Sequence, residues 1–134
     1  MVRTKICCVS EGIVIDKETN SASIFSVVEG IGAAAFPLFI QKTAFFCLWE
    51  RDMEDPQVHH GEFTIRIGDK VLVHSTDIVV DFLNQPRNRT VIRLNGLVVP
   101  NPGRLFFRLS LQGQGVAECI IEVNINEPVE HIAG

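Results

Sequence analysis

The sequence predicts an all-β chain: a single antiparallel β-sandwich of the immunoglobulin-like or jelly-roll kind, with about eight strands. Three observations carry this expectation. First, the last third alternates cleanly. Leu105, Phe107, Leu109 and Leu111 interleave with Phe106, Arg108, Ser110 and Gln112, and after Gly113-Gln114-Gly115 the set Ala117, Cys119, Ile121, Val123 and Ile125 interleaves with Val116, Glu118, Ile120, Glu122 and Asn124. Successive strand side chains point to opposite faces, so period two over adjacent runs marks a half-buried antiparallel hairpin. Second, short apolar runs recur along the chain with turn residues between them. Third, no segment holds a helical period for more than two turns. The half-polar faces of the final hairpin suit two packed sheets with a wet exterior better than a closed barrel.

The elements follow in order. Thr4 to Ser10 is rich in β-branched and small apolar residues, Gly12 to Asp16 continues it, and Lys17-Glu18-Thr19-Asn20 is a polar turn. Ser23 to Val28 is the next strand, closed by Glu29-Gly30-Ile31-Gly32. Ala33 to Pro37 reads as one helical turn or an irregular crossover, Pro37 disfavouring an α conformation at Phe36. Leu38 to Glu50 is apolar on both faces, with Phe46 and Leu48 on one and Phe45, Cys47 and Trp49 on the other. Such a strand is central or covered, and Trp49 belongs to the core. A charged loop, Arg51 to Pro56, precedes a strand centred on Phe63, Ile65 and Ile67, and Gly68-Asp69 turns into strands beginning at Val71 and at Ile78. Thr90, Ile92 and Leu94 share a face; Leu97 and Val99 are out of phase with them, so Asn95-Gly96 is expected to insert a bulge. Residues 1–125 form one domain and 126–134 a tail.

Composition bounds the function. A chain of 134 residues with nine Phe can bury a sizeable core without a disulfide or metal staple. The net charge of −4 argues against nucleic acid as a partner, since phosphate contact needs a basic surface. MVRTKICCVS lacks the apolar stretch of a secretory signal, and the longest apolar run, Ile31 to Ile40, is interrupted by Gly32 and Pro37 and too short to span a bilayer. The expectation is a soluble cytoplasmic protein with no membrane span and no cofactor. Cys7, Cys8, Cys47 and Cys119 form no CxxC or zinc spacing and are read as structural thiols; the alternative is a redox role for Cys7 or Cys8, which should face opposite ways.

Three constellations carry chemistry. His59-His60, with Glu62 near and His74 further on, offers imidazoles for a transition metal; against it, adjacent residues on a strand diverge. Glu50, Asp52, Glu54 and Asp55, with Asp69, Asp77 and Asp81, offer oxygens for calcium, or else form a solvated loop that blunts an edge. If the strands at 88–99 and 104–112 pair, Arg93 and Arg108 share an outer face and form an anion site; the alternative is ion pairing of the arginines with Glu118 and Glu122. Gly30-Ile31-Gly32 lacks the rest of a phosphate loop.

The Asp16 turn, the Ser23-Ile24-Phe25 run, the Phe36-Pro37 step and Pro102-Gly103-X-Leu-X-Phe with Leu105 and Phe107 resemble an uncharacterised bacterial β-sandwich family, a domain of unknown function, over residues 3 to 125. Leu105 stands where that family is expected to have an aromatic. The resemblance implies the sandwich fold and a bacterial intracellular setting, and no functional residue.

The chain offers no acid, base and nucleophile set, so a non-catalytic binding or assembly module is expected, its partner another protein or a second copy of itself. Phe106 and Ile120, outward-facing with Val116, and the Gln112 to Gly115 turn are the expected contact residues. The competing classes are a metal-dependent enzyme or metal-binding sandwich using His59, His60 and His74, and a small-anion binder using Arg93 and Arg108.

Overall fold

The computed structural model describes residues 1–112 and 115–126. Nine strands follow one another: β1 (Arg3–Ile15), β2 (Ala22–Val27), β3 (Gly30–Ala33), β4 (Leu38–Glu50), β5 (Val58–Ile67), β6 (Val71–Asp81), β7 (Arg87–Val99), β8 (Gly103–Leu111) and β9 (Val116–Ile125). They make a four-stranded sheet, ordered β2-β1-β4-β7, packed on a five-stranded sheet, ordered β3-β9-β8-β5-β6. The described residues contain no helix, and hence none long and apolar enough to cross a membrane.

The inward side chains of both sheets meet in one core. Trp49, Phe45, Phe63, Phe82 and Phe107 are its largest fully buried members. Each such ring, once withdrawn from water, contributes about 1.5–3 kcal/mol. Period two places them there: Phe45, Cys47 and Trp49 point in from β4, while Leu105, Phe107, Leu109 and Leu111 point in from β8.

Four expectations need correction. The Glu29–Gly32 segment is not merely a closing turn: Gly30–Ala33 is a strand of its own, β3, and it lies parallel to Glu122–Ile125 of β9, so the sandwich is not wholly antiparallel. The strands expected to begin at Val71 and at Ile78 are one continuous strand, β6. No bulge occurs at Asn95-Gly96. The β4–β7 register is unbroken, with Ile40 opposite Leu97 and Lys42 opposite Asn95. Both strands change faces together instead: Leu38 and Ile40, then Phe45, pack on the core from β4, while Val99 and Leu97, then Leu94, do so from β7. Gly96 absorbs the inversion at φ +90°, where a side chain would be strained. Finally, β7 and β8 do not pair; they belong to different sheets.

The outer face of the four-stranded sheet is covered around Ala44, Phe46 and Val91, though no third layer exists, while Phe39 and Val98 further along it stay exposed. β1 pairs with β4 only as far as Ser10 opposite Ala44, then continues with β2 alone from Ser10 to Ile15. This two-stranded arm folds over the sheet. Its Ile13, Ala22 and Ile24 pack on Ala44, Phe46, Leu48 and Val91, forming a second, smaller core. Two arginines of β7 reach across to hold it: Arg93 Nη2 donates to the Ile13 carbonyl at 3.2 Å, and Arg89 Nη2 to the Asn20 carbonyl at 2.9 Å. The two-faced apolarity of β4 therefore has two causes, a central position and a covering arm.

Candidate functional site

The residues singled out in the sequence fall in different places. Phe106 and Ile120 lie directly opposite each other on β8 and β9, on the outer face of the five-stranded sheet. Ile120 is 45 % exposed and Phe106 half-buried, so both point outward as expected. Ion pairs flank them, Arg104–Glu122 at 2.9 Å and Arg108–Glu118 at 3.4 Å. Of the turn beside them, Gly113 and Gln114 lie outside the described residues; the Gln112 amide donates to the His60 carbonyl.

Arg93 and Arg108 do not form a common site. They sit on different sheets, because β7 pairs with β4 and β8 with β5 and β9. Arg93 is held by the arm and Arg108 pairs with Glu118, the alternative raised by the sequence.

The three histidines are likewise kept apart. His59 is buried, with Nε2 2.6 Å from the Pro56 carbonyl and its ring edge-on to Phe82. A carbonyl only accepts, so Nε2 carries the proton and is not free for a metal. His60 projects from the opposite face of β5 and is exposed. His74 lies opposite Ile65, well along the strand, with its ring against Phe63. Among the described residues no three His, Cys, Asp or Glu side chains come together as metal ligands.

That finding covers the acidic loop too, where cations already occupy the carboxylates. Arg3 bonds Glu50 at 2.8 Å and Asp52 at 3.2 Å, Arg87 bonds Glu50 at 3.3 Å, and the Met1 amine meets Asp52 at 2.8 Å and Asp55 at 2.7 Å. Hydrogen bonds from Arg3 hold Glu50 below the usual carboxylate range, and those from the Met1 amine do the same for Asp52 and Asp55.

Cys7 and Cys8 face opposite ways, as their adjacency requires: Cys7 packs on the main core and Cys8 on the small outer one. Residue spacing gave no hint that Cys7 lies opposite Cys47 across β1 and β4. The Cys47 thiol beside it favours the Cys7 thiolate and lowers the Cys7 pKa, while a Cys7 thiolate and burial push that of Cys47 far up. All four cysteines are free.

The best-formed concavity lies where β1 leaves β4. It measures about 810 Å³, within the range of small-molecule and cofactor sites. Its floor is made of core side chains, Val9, Phe107 and Ile121. One wall is the first half of β4, from Phe39 to Thr43; the other is the Ser26–Gly32 crossover that carries the chain from one sheet to the other. The crossover is tied down on both sides, by Val28 N–H to the Val9 carbonyl at 2.8 Å and Glu122 N–H to the Glu29 carbonyl at 3.4 Å. Ser26 turns the chain there at φ +53°, a region non-glycine residues rarely occupy. Thr43 is 7 % exposed, and its Oγ1 has no hydrogen-bond partner among the described residues. The titratable side chains lining the cleft are Glu11, Glu29 and Lys42.

Sequence reasoning missed this cleft. Its one signal was the face change between Ile40 and Phe45, which reads in the sequence simply as apolarity on both sides. Comparison with curated proteins finds no match. A family profile does match over residues 5–124, nearly the whole span from β1 to β9, and the chain belongs to the family of unknown function DUF6941.

Proposed function

We propose that the protein is a non-catalytic binding module whose ligand enters the cleft between the β1–β2 arm and β4. The observation that carries this reading is the split in the four-stranded sheet, which leaves a cavity of about 810 Å³ floored by Val9, Phe107 and Ile121. Those three are themselves withdrawn from water, so the apolar surface a ligand reaches is that of the walls, Phe39, which is exposed, and Val28, Ile31 and Ile40, which are half-buried. Convergent polar groups at the rim, Glu11, Glu29 and Lys42, give such a site its selectivity. A fragment screen followed by amide chemical shifts tests it. Hits should perturb Val9, Phe39, Thr43 and Ile121 together, and Phe39→Asp should abolish them. Hits that map elsewhere, or none, would overturn the reading.

A second reading, self-association, is favoured by the Phe106–Ile120 pair, an outward apolar contact set between two ion pairs. The double substitution Phe106→Ser with Ile120→Ser should leave folding intact and shift sedimentation towards the monomer. An unchanged sedimentation coefficient counts against that face.

A further inference from the structure

We infer that the occupant of the cleft is an extended polypeptide segment, added as a strand to the free edge of β4, with a basic side chain against Glu11 and Glu29. The inference rests on the reading of the cleft as the binding site and names its ligand class. β4 pairs with β7 along its whole length, from Leu38 to Glu50. On its other side β1 covers only Ala44 to Glu50. Leu38–Thr43 thus offers an edge with no strand partner among the described residues. In a pleated strand alternate residues turn their N–H and C=O to each side, so about three residues' worth of peptide groups face the cleft.

Four other strands also have an outer edge, as the sheet order requires: β2, β7, β3 and β6. The interior strands β1 and β9 are also open over part of their length, Arg3 to Val9 on the β2 side and Val116 to Ile121 on the β3 side; the β4 edge differs in lining the cleft, from Phe39 to Thr43. A backbone edge next to apolar surface selects a ligand that brings both peptide groups and apolar side chains. An extended chain supplies them in the right period, its alternate side chains meeting the apolar walls at Val28, Ile31 and Ile40 while its amides meet β4. The open edge runs about 20 Å at 3.4 Å per residue, the length of an ordinary strand. An incoming strand there continues the line of β1 past the point where β1 departs. Such an edge in an isolated protein is a liability that charges or cover normally blunt; here the crossover shields it from a flat neighbour but leaves the gap open.

Charge narrows the class. Glu11 and Glu29 line the cleft against one cation, Lys42, and among the described residues none of the three is in an ion pair. The rim carries net negative charge and favours a segment bearing Lys or Arg.

Selection from a phage-displayed library of random linear peptides tests the inference, with winners synthesised both with normal amides and with N-methylated amides at alternate positions. The expected winners alternate apolar and polar residues and include Lys or Arg. N-methylation of the edge-facing amides should weaken binding about tenfold or more, and normal winners should slow amide exchange within Leu38–Thr43. Glu11→Lys with Glu29→Lys should weaken the same winners several-fold, more at low salt than at high. Winners indifferent to N-methylation, or no winners while fragments still perturb Val9 and Ile121, overturn strand addition and leave the cleft as a small-molecule site. Winners that perturb residues outside the cleft overturn both.

Discussion

The covering of the four-stranded sheet makes a quantitative claim about Phe46. By strand alternation Phe46 points away from the main core, and on an uncovered sandwich face its truncation would fall within about 0.5 kcal/mol of neutral. In this fold it is 4 % exposed, packed beneath the β1–β2 arm with Ile13 and Ala44. Phe-to-Ala substitution at fully packed sites costs about 3–5 kcal/mol, the sum of lost transfer energy and the cavity left behind. The arm is only two strands and can settle into the space, so the lower end applies, about 3 kcal/mol. Urea unfolding is the assay. With an m-value near 2 kcal/mol/M the midpoint should fall by about 1.5 M, with m itself little changed. Phe39→Ala, at a position 60 % exposed, is the matched control and should move the midpoint very little. Arg93→Met keeps the aliphatic stem but removes the bond to the Ile13 carbonyl, for a loss of about 1 kcal/mol. If Arg93 acts by holding the arm on Phe46, the double variant departs from additivity by about 0.5 kcal/mol or more. A Phe46→Ala loss below about 1 kcal/mol, or one no larger than that of Phe39→Ala, would refute the covering-arm argument.

Other outcomes follow from the same geometry. Glu50 is held below its ordinary value by Arg3, so the unfolded chain binds its proton first: the stabilisation is present above about pH 4.5 and is lost as pH falls through the lowered value. Arg3→Gln should flatten the acid limb of a urea-midpoint profile, and an unchanged limb refutes the assignment. Iodoacetamide should modify Cys7 before Cys47, and Cys47→Ala should raise the Cys7 titration midpoint by removing the thiol that favours its thiolate; a midpoint that stays put or falls contradicts the pairing. His59→Phe strips the Pro56 carbonyl of its donor and should cost about 1–2 kcal/mol. Zinc should shift the melting temperature of wild type and of His60→Ala with His74→Ala equally, whereas a shift confined to wild type would restore a histidine metal site.

Local period two made most of the strands legible. The β8–β9 hairpin, the outward pair Phe106 and Ile120, and the split of Cys7 from Cys8 all follow from alternation, which acts between neighbours in sequence. The pairings that set the candidate site are not local. Whether 88–99 lies beside 104–112 depends on which sheet each strand joins, and the answer, different sheets, separates Arg93 from Arg108. The Asn95-Gly96 phase change was visible, but a bulge and a matched inversion of both strands leave the same trace on one strand. They differ only in the partner, where Leu38 and Ile40 exchange faces with Phe45 in step.

Two features leave a hole beside β4 over the core floor. Beyond Ser10, β1 stops pairing with β4 and runs with β2 as the arm, so the first half of β4 loses its neighbour. The next segment, from Ser26 to Gly32, crosses to the other sheet instead of filling the vacated place, because Gly30–Ala33 finds its backbone partners on β9. A chain with ample apolar residues could have closed that gap with one more strand in line with β1. It uses the length on the arm and on a four-residue parallel strand, and leaves Leu38–Thr43 of β4 paired on one side alone. The peptide groups of that edge are open to water, Phe39, Gln41 and Lys42 being exposed, and a ligand with a backbone of its own replaces those water bonds in kind, which is the physical ground for expecting one.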